Sequence, residues 1–280
     1  MTQAMPHSSN DAEFHGLGPG THEMKTRFPL RRRTVRTGLL SALVLPICWS
    51  VSITESLGQE TSVRPGINES FETPDVEQFV ERFEKEGREV YDQREAIIEA
   101  CRLEPGMVVA DIGAGTGLFT RLLAGQVGAD GKVYAVDIAE EFVEHVVQGA
   151  KEAGLENVEG VVCEPDFVNL PPASVDVVFI CDTYHHFEFP YKTMASLHRA
   201  LKPGGRVVLV EFARIDGVSS EWIMGHVRAG EEVFTREIEE SGFRRVDELA
   251  GVFKESYLIR FEKFVNDDRP DTDRNSDRSK

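Results

Sequence analysis

Along the middle of the chain, apolar residues come in short unbroken runs separated by stretches of helical spacing. The runs are MVVADI, KVYAVDI, VEGVVC, VDVVFIC and RVVLVEF, each of strand length. A strand without polar alternation is buried on both faces, as in a parallel sheet covered by helices. Between the runs, Leu118, Phe119, Leu122 and Leu123 recur at helical spacing. So do Phe142, Val143, Val146, Val147 and Ala150, and then Met194, Leu197 and Leu201, stopped by KPGG. These crossovers are long enough for right-handed βαβ units.

The flanks follow the same logic. Thr73-Pro74 predicts a helix start, and Val76, Phe79, Val80 and Phe83 continue it. Gly87 interrupts, and a second helix is expected to reach about Leu103 before Pro105-Gly106. Val233, Phe234 and Ile238 form a core-facing stripe closed by Gly242. FRRVDELAG and SYLIRFEKF read as two strands with a short connection, hence an antiparallel pair. The fold class is therefore α/β and doubly wound, with five buried strands and a terminal antiparallel pair.

The N-terminus follows another pattern. Residues 25–36, KTRFPLRRRTVR, carry six basic residues and no acid, and eighteen uncharged residues follow from Thr37 to Thr54. This is the order of an export signal, with Ser56-Leu57-Gly58 before a cut, or of an uncleaved membrane anchor. The expected division is a leader at 1–58, a polar linker at 59–73, a folded domain at 74–265 and a disordered tail at 266–280. The mature protein would then be exported or anchored. Met24 is a plausible true start, since it leaves a short basic n-region before the apolar run, and the protein would be cytoplasmic only if the leader is a misassigned start.

A net charge of −17 argues against a nucleic-acid partner, which would need clustered Lys and Arg. Past the leader, Cys101, Cys163 and Cys181 show no CxxC or zinc-type spacing, so no metal site is expected.

The chemistry concentrates in DIGAGTGLFT. Gly113, Gly115 and Gly117 follow a predicted strand and open a predicted helix, the context in which a glycine loop lets backbone approach a ligand. The spacing is G-x-G-x-G, with Leu118 where a dinucleotide fingerprint has its third glycine. Asp137 ends the next strand, placed to accept from two ribose hydroxyls. It could equally cap the helix behind it. Asp166 follows the third strand, within reach of an adenine amine.

Taken together, VVADIGAGTGLFT, YAVDI, PDFVNLPPASVDVVFICDTYHHF and LKPGGRVVLVEF resemble class I S-adenosylmethionine-dependent methyltransferases, in order and spacing over about residues 88–262. The likeness is to the small-molecule, methyltransferase type 11-like branch, which includes quinone-pathway C-methyltransferases. It implies a Rossmann-like seven-stranded sheet of order 3-2-1-4-5-7-6, mostly parallel, with helices on both faces. It also implies S-adenosyl-L-methionine as cofactor. Gly113, Gly115 and Gly117 would line it with Asp111 anchoring the loop, and Asp137 and Ile138 would meet the ribose. Asp166 and the Phe167 backbone would meet the adenine, and Asp182 and Thr183 would border the sulfonium.

Methyl transfer needs a base only if the acceptor must lose a proton. Candidates are Tyr184, His185 and His186, each equally readable as a packed, locally satisfied side chain. Acceptor contacts are expected from Arg88 and Tyr91, and from Trp222, His226 and Arg228 after the fifth strand. The expected partner is a small molecule, with membrane contact only through the leader. Two alternatives remain at this level: an NAD-dependent oxidoreductase on a similar sheet, and a protein that binds the cofactor without catalysis.

Overall fold

A computed structural model of the chain describes residues 59–264. The leader and tail expectations lie outside the described residues. A 3-10 turn at Glu69–Phe71 precedes three helices, α1 (Val76–Phe83), α2 (Glu89–Asp92) and α3 (Arg94–Ala100). Alternation follows: β1 (Val108–Ile112), α4 (Leu118–Val127), β2 (Lys132–Asp137), α5 (Glu140–Glu152), β3 (Val158–Val162) and β4 (Val175–Cys181). A 3-10 turn at Tyr184–His186 leads to α6 (Pro190–Ala200), β5 (Leu201–Phe212), α7 (Glu221–His226) and α8 (Glu231–Glu240). The chain closes with β6 (Phe243–Glu248) and β7 (Ser256–Lys263).

The seven strands form one sheet of order β3-β2-β1-β4-β5-β7-β6. The first five pair in parallel, whereas β7 runs antiparallel to both β5 and β6. Alternate residues of each central strand feed opposite faces. Val109, Val177, Phe179 and Val208 pack with Phe119 and Leu123 of α4 and Ile97 of α3. Ala110, Val178, Ile180 and Leu209 pack with Met194 and Leu197 of α6 and Phe234 and Ile238 of α8. A fully buried leucine such as Leu123 or Leu197 stabilises the fold by roughly 1.5–3 kcal/mol.

Several local expectations shift. The first helix begins at Val76, because Asp75 and not Thr73 supplies the N-cap oxygen, accepting from the Gln78 N–H at 3.2 Å. The second helix is split into α2 and α3 at Gln93. β3 is half-exposed along its length because it forms a sheet edge. Residues 59–72, expected as a linker, pack on the domain. Gln59 Nε2 and the Val63 N–H both donate to the Glu188 carbonyl, at 3.0 and 2.9 Å. Arg64 Nη1 and Nη2 donate to the carbonyls of His226 and Gly225. Among the described residues, no helix is long and apolar enough to cross a membrane.

Candidate functional site

The order of strands reverses direction between β1 and β4, and open α/β sheets bind ligands at the carboxyl ends flanking such a point. A cavity of about 700 Å³ lies there. Its wall includes Asp111 and Ile112 at the end of β1, Asp137 at the end of β2, Cys181 and Asp182 at the end of β4, and Phe212 at the end of β5.

The glycine loop forms one side. Gly113 has φ +70 and Gly117 φ +78, a region that disfavours side chains. A Cβ on Gly113 would lie 2.3 Å from Thr183 Cγ2, so the two loops touch across the switch point only because residue 113 has no side chain. Gly117 starts α4 and faces Val146 rather than the cavity. Asp137 ties this side together: Oδ2 accepts from the Gly115 N–H at 2.9 Å and Oδ1 from the Ala139 N–H at 3.0 Å. Asp137 therefore stands in the cavity wall and ties the glycine loop to the entry of α5, whose N-cap position is Ala139. A carboxylate has about four acceptor sites, so two remain for a ligand.

Buried acids without nearby cations raise their pKa. Burial pushes the Asp111 carboxyl up to about 7, against the opposing hydrogen bond from Thr120 Oγ1 at 2.6 Å. Burial also raises Asp137. Asp182 rises to about 6 by burial, although Arg88 Nη2 donates to its Oδ2 at 2.7 Å. Its Oδ1 is buried and has no partner among the described residues, an acceptor waiting at the cavity wall.

The opposite end is aromatic. His185 is 1% exposed, and its Nδ1 lies 2.9 Å from both oxygens of Glu211, which is 0% exposed. Glu211 also accepts from the backbone N–H of His185 and of Phe212. The ring therefore donates from Nδ1, and His185 Nε2 is left buried without a partner among the described residues. His186 Nδ1 lies 3.2 Å from Asn68 Oδ1, and Phe71 meets its ring edge-on at 5.1 Å. Trp222 stacks on His226 at 4.6 Å between ring centres. Burial, followed by the neighbouring His185, pushes His186 down to about 2 and His226 down to about 4, so both rings are neutral at pH 7.

Besides Gly117, five expected site residues do not line the cavity. Tyr184 is fully buried beneath it, against Phe187 and Phe234. Arg228 makes a buried fork with Glu237 at 2.8 and 2.6 Å, over the Phe234 ring. Tyr91 carries the Arg94 guanidinium on its outer face. Asp166 pairs with Lys192 at 3.1 Å. The Phe167 N–H is spent on the Glu164 carbonyl at 3.3 Å and its ring lies under Arg199, so it offers an adenine nothing. The wall here is Cys163, Glu164 and Pro165. Arg88, Ile138, Thr183, Trp222 and His226 do line the cavity, with Gly113, Gly115, Asp111, Asp137, Asp182, His185 and His186. Sequence reading missed Glu211, Asn68 and Phe71. A lone acid ending an otherwise apolar buried strand was the available signal for Glu211, because such a charge requires a partner.

The family model described as a methyltransferase domain matches residues 110–209, which contain this loop, Asp137 and the 182–186 turn. A ubiquinone/menaquinone biosynthesis C-methyltransferase, UbiE, of Bordetella parapertussis is 29% identical over 179 residues, covering 60% of this chain and 69% of that protein. A crystal structure of an S-adenosylmethionine-dependent methyltransferase from Aquifex aeolicus superposes with a TM-score of 0.59 at 26% identity, over 68% of this chain and 100% of the other. Residues 110–209 thus match a methyltransferase domain, and the chain is similar to class I S-adenosylmethionine-dependent methyltransferases. A possible exported protein from Bordetella parapertussis shares the fold at 14% identity and a TM-score of 0.52, over 63% of this chain and 68% of that one. The methyltransferase cofactor, S-adenosyl-L-methionine, fits the donor set: Asp137 keeps acceptor capacity at the cavity wall, beside the half-buried loop backbone at 113–115.

Proposed function

We propose that this methyltransferase transfers a methyl group to a small, oxygen-bearing, quinone-like acceptor. One observation carries the reading: a single cavity runs from the glycine loop and Asp137 to the His185 end, so cofactor and acceptor share one enclosure. Its volume lies within the roughly 300–1,000 Å³ of small-molecule sites. The relative named for quinone biosynthesis supports the acceptor class.

S-adenosylmethionine, when bound, supplies an electrophilic methyl on sulfur. The residues of the chain do the rest. Asp137 and Ile138 hold the ribose end, the backbone at 113–115 the amino-acid end, and Glu164 and Pro165 the adenine edge. Asp182, fixed by Arg88, bounds the middle of the cavity. His185 accepts the acceptor's proton at Nε2, while Glu211 keeps Nδ1 protonated and the ring oriented. Phe212, Phe187 and Trp222 exclude water, which strengthens each of these interactions.

The reading is tested by incubating the full chain with methyl-labelled cofactor and a panel of quinols, phenols and amines. Label in a quinol or phenol supports it. Label confined to amines overturns the acceptor class, and no label in any acceptor, with cofactor bound, overturns catalysis of this kind.

We further propose that the leader at 1–58 exports the domain, on its basic-then-apolar order. N-terminal sequencing of native protein should find a start near Gln59. A start at Met1 or Met24 in a cytoplasmic fraction contradicts export.

A further inference from the structure

We propose that His185, His186 and His226 form a three-imidazole site for a divalent metal ion of the zinc class, at the acceptor end of the cavity. The inference rests on the reading of that end as the acceptor site only for what the ion would do, not for whether it binds.

Three observations carry it. One ring nitrogen from each histidine lies within 4.8 Å of the others. The ring centres are 4.3, 4.9 and 5.2 Å apart. An ion holding imidazole nitrogens at 2.0–2.1 Å in tetrahedral geometry sets the ring centres about 5 Å apart, so modest side-chain rotation completes the site. Second, the outer nitrogens are already committed. His185 Nδ1 donates to Glu211 and His186 Nδ1 to Asn68 Oδ1. A ligand histidine that gives its other N–H to a carboxylate or carbonyl is the usual arrangement around a bound metal, because it fixes the tautomer and raises ligand basicity. Third, His185 Nε2 is buried without a partner among the described residues, a cost the fold carries unless something accepts its lone pair. None of the three rings hydrogen-bonds another among the described residues, as packing alone would allow.

The convergence is not visible as a spacing. It arises because α7 folds back over the Tyr184–His186 turn, where Arg64 and Ser220 hold its two ends. Arg64 and Arg82 face His226 and oppose a cation, while the buried Glu211 carboxylate offsets them.

Three protein ligands leave a fourth position open to the cavity, the pattern of reactive rather than structural zinc. There an acceptor hydroxyl would coordinate, lose its proton to water and keep the O–H electron pair as an alkoxide or phenolate. His185 then acts as a ligand in the metal-bound enzyme, and the ion takes over the task of activating the oxygen.

The test uses untagged full-length chain, stripped with chelator and titrated with cobalt(II), then competed with zinc(II). One ion per chain is expected, with tetrahedral cobalt absorption and a dissociation constant of about 1 µM or tighter. His186→Ala and His226→Ala should each weaken binding at least tenfold, and Asn68→Ala and Glu211→Gln about 10–100-fold, as supporting partners do. His226 is half-exposed, so its variant keeps the fold, which the melting temperature checks. S-adenosylmethionine affinity is measured on the same samples. Absence of stoichiometric binding, or binding that His226→Ala leaves unchanged, overturns the metal site and leaves the methyltransferase reading intact. Metal binding without cofactor binding does the reverse.

Discussion

The carboxylate of Glu211 holds His185 twice, at ring Nδ1 and at the backbone N–H, 2.9 and 3.1 Å away. One buried acid at the end of β5 thereby sets both the loop after β4 and the direction of the imidazole it carries. Glu211→Gln keeps the shape but can present its amide to Nδ1, which selects the wrong tautomer. Turnover should fall about 10²–10⁴-fold, the range for a positioned base, with cofactor affinity unchanged. Steady-state kinetics beside calorimetry check this, and a variant with full turnover removes the dyad from the mechanism.

Gly113→Ala should cost stability. It forces a side chain into positive φ and against Thr183, and left-handed strain alone is worth about 1–3 kcal/mol. The double variant Gly113→Ala/Thr183→Ser should recover only part, because the smaller side chain relieves contact but not the dihedral. Denaturant melts decide; a neutral Gly113→Ala shows that the two loops are not in contact.

Asp111 makes the unliganded domain sensitive to pH. Its folded pKa, about 7, lies above the ordinary 3.8 because burial disfavours the charge. Between those values the folded state keeps a proton that the unfolded state has lost. Its stabilising contribution is therefore full below about pH 4 and disappears as pH rises through about 7. Asp182, raised to about 6, acts in the same direction. Thermal melts at pH 5 and pH 8 should show a smaller decline in Asp111→Asn than in the parent chain. An equal decline assigns the pH dependence elsewhere.

The docked segment at 59–72 should shape the acceptor end. Phe71→Ala removes the ring against His186, Phe79 and Phe142 and opens that wall to water. The expected result is a raised KM for acceptor with the cofactor constant held. A change in the cofactor constant instead would move the segment's role to the other end of the cavity.

The parts of this fold that were readable in advance are those where one physical rule dominates. β1, β2, β4 and β5 are buried on both faces, so their apolar runs announced them. The antiparallel β6–β7 pair followed from a connection too short for a crossover. β3 was read as buried, because an apolar run looks the same at a sheet edge as at its centre. The site divided along similar lines. Gly113 and Asp137 reach the cavity because strand ends dictate where they lie. Tyr184 sits beside His185 in the chain, but a 3-10 turn sends its ring into the core, and Arg228 satisfies its charge on Glu237 rather than on a ligand. Residues 59–72 are polar in composition, and nothing in polarity reveals that Asn68 and Arg64 find carbonyl and imidazole partners across the cavity mouth.

On this account the glycine loop and Asp137 hold S-adenosylmethionine in preference to NAD, and calorimetry of the full chain with both ligands tests that claim most directly. One S-adenosylmethionine per chain should bind, NAD should not compete, and Asp137→Ala should weaken binding about tenfold or more, the loss of a carboxylate hydrogen bond worth about 1.5–3 kcal/mol. Equal binding of NAD, or an Asp137→Ala variant of unchanged affinity that still melts as a folded protein, would contradict the account.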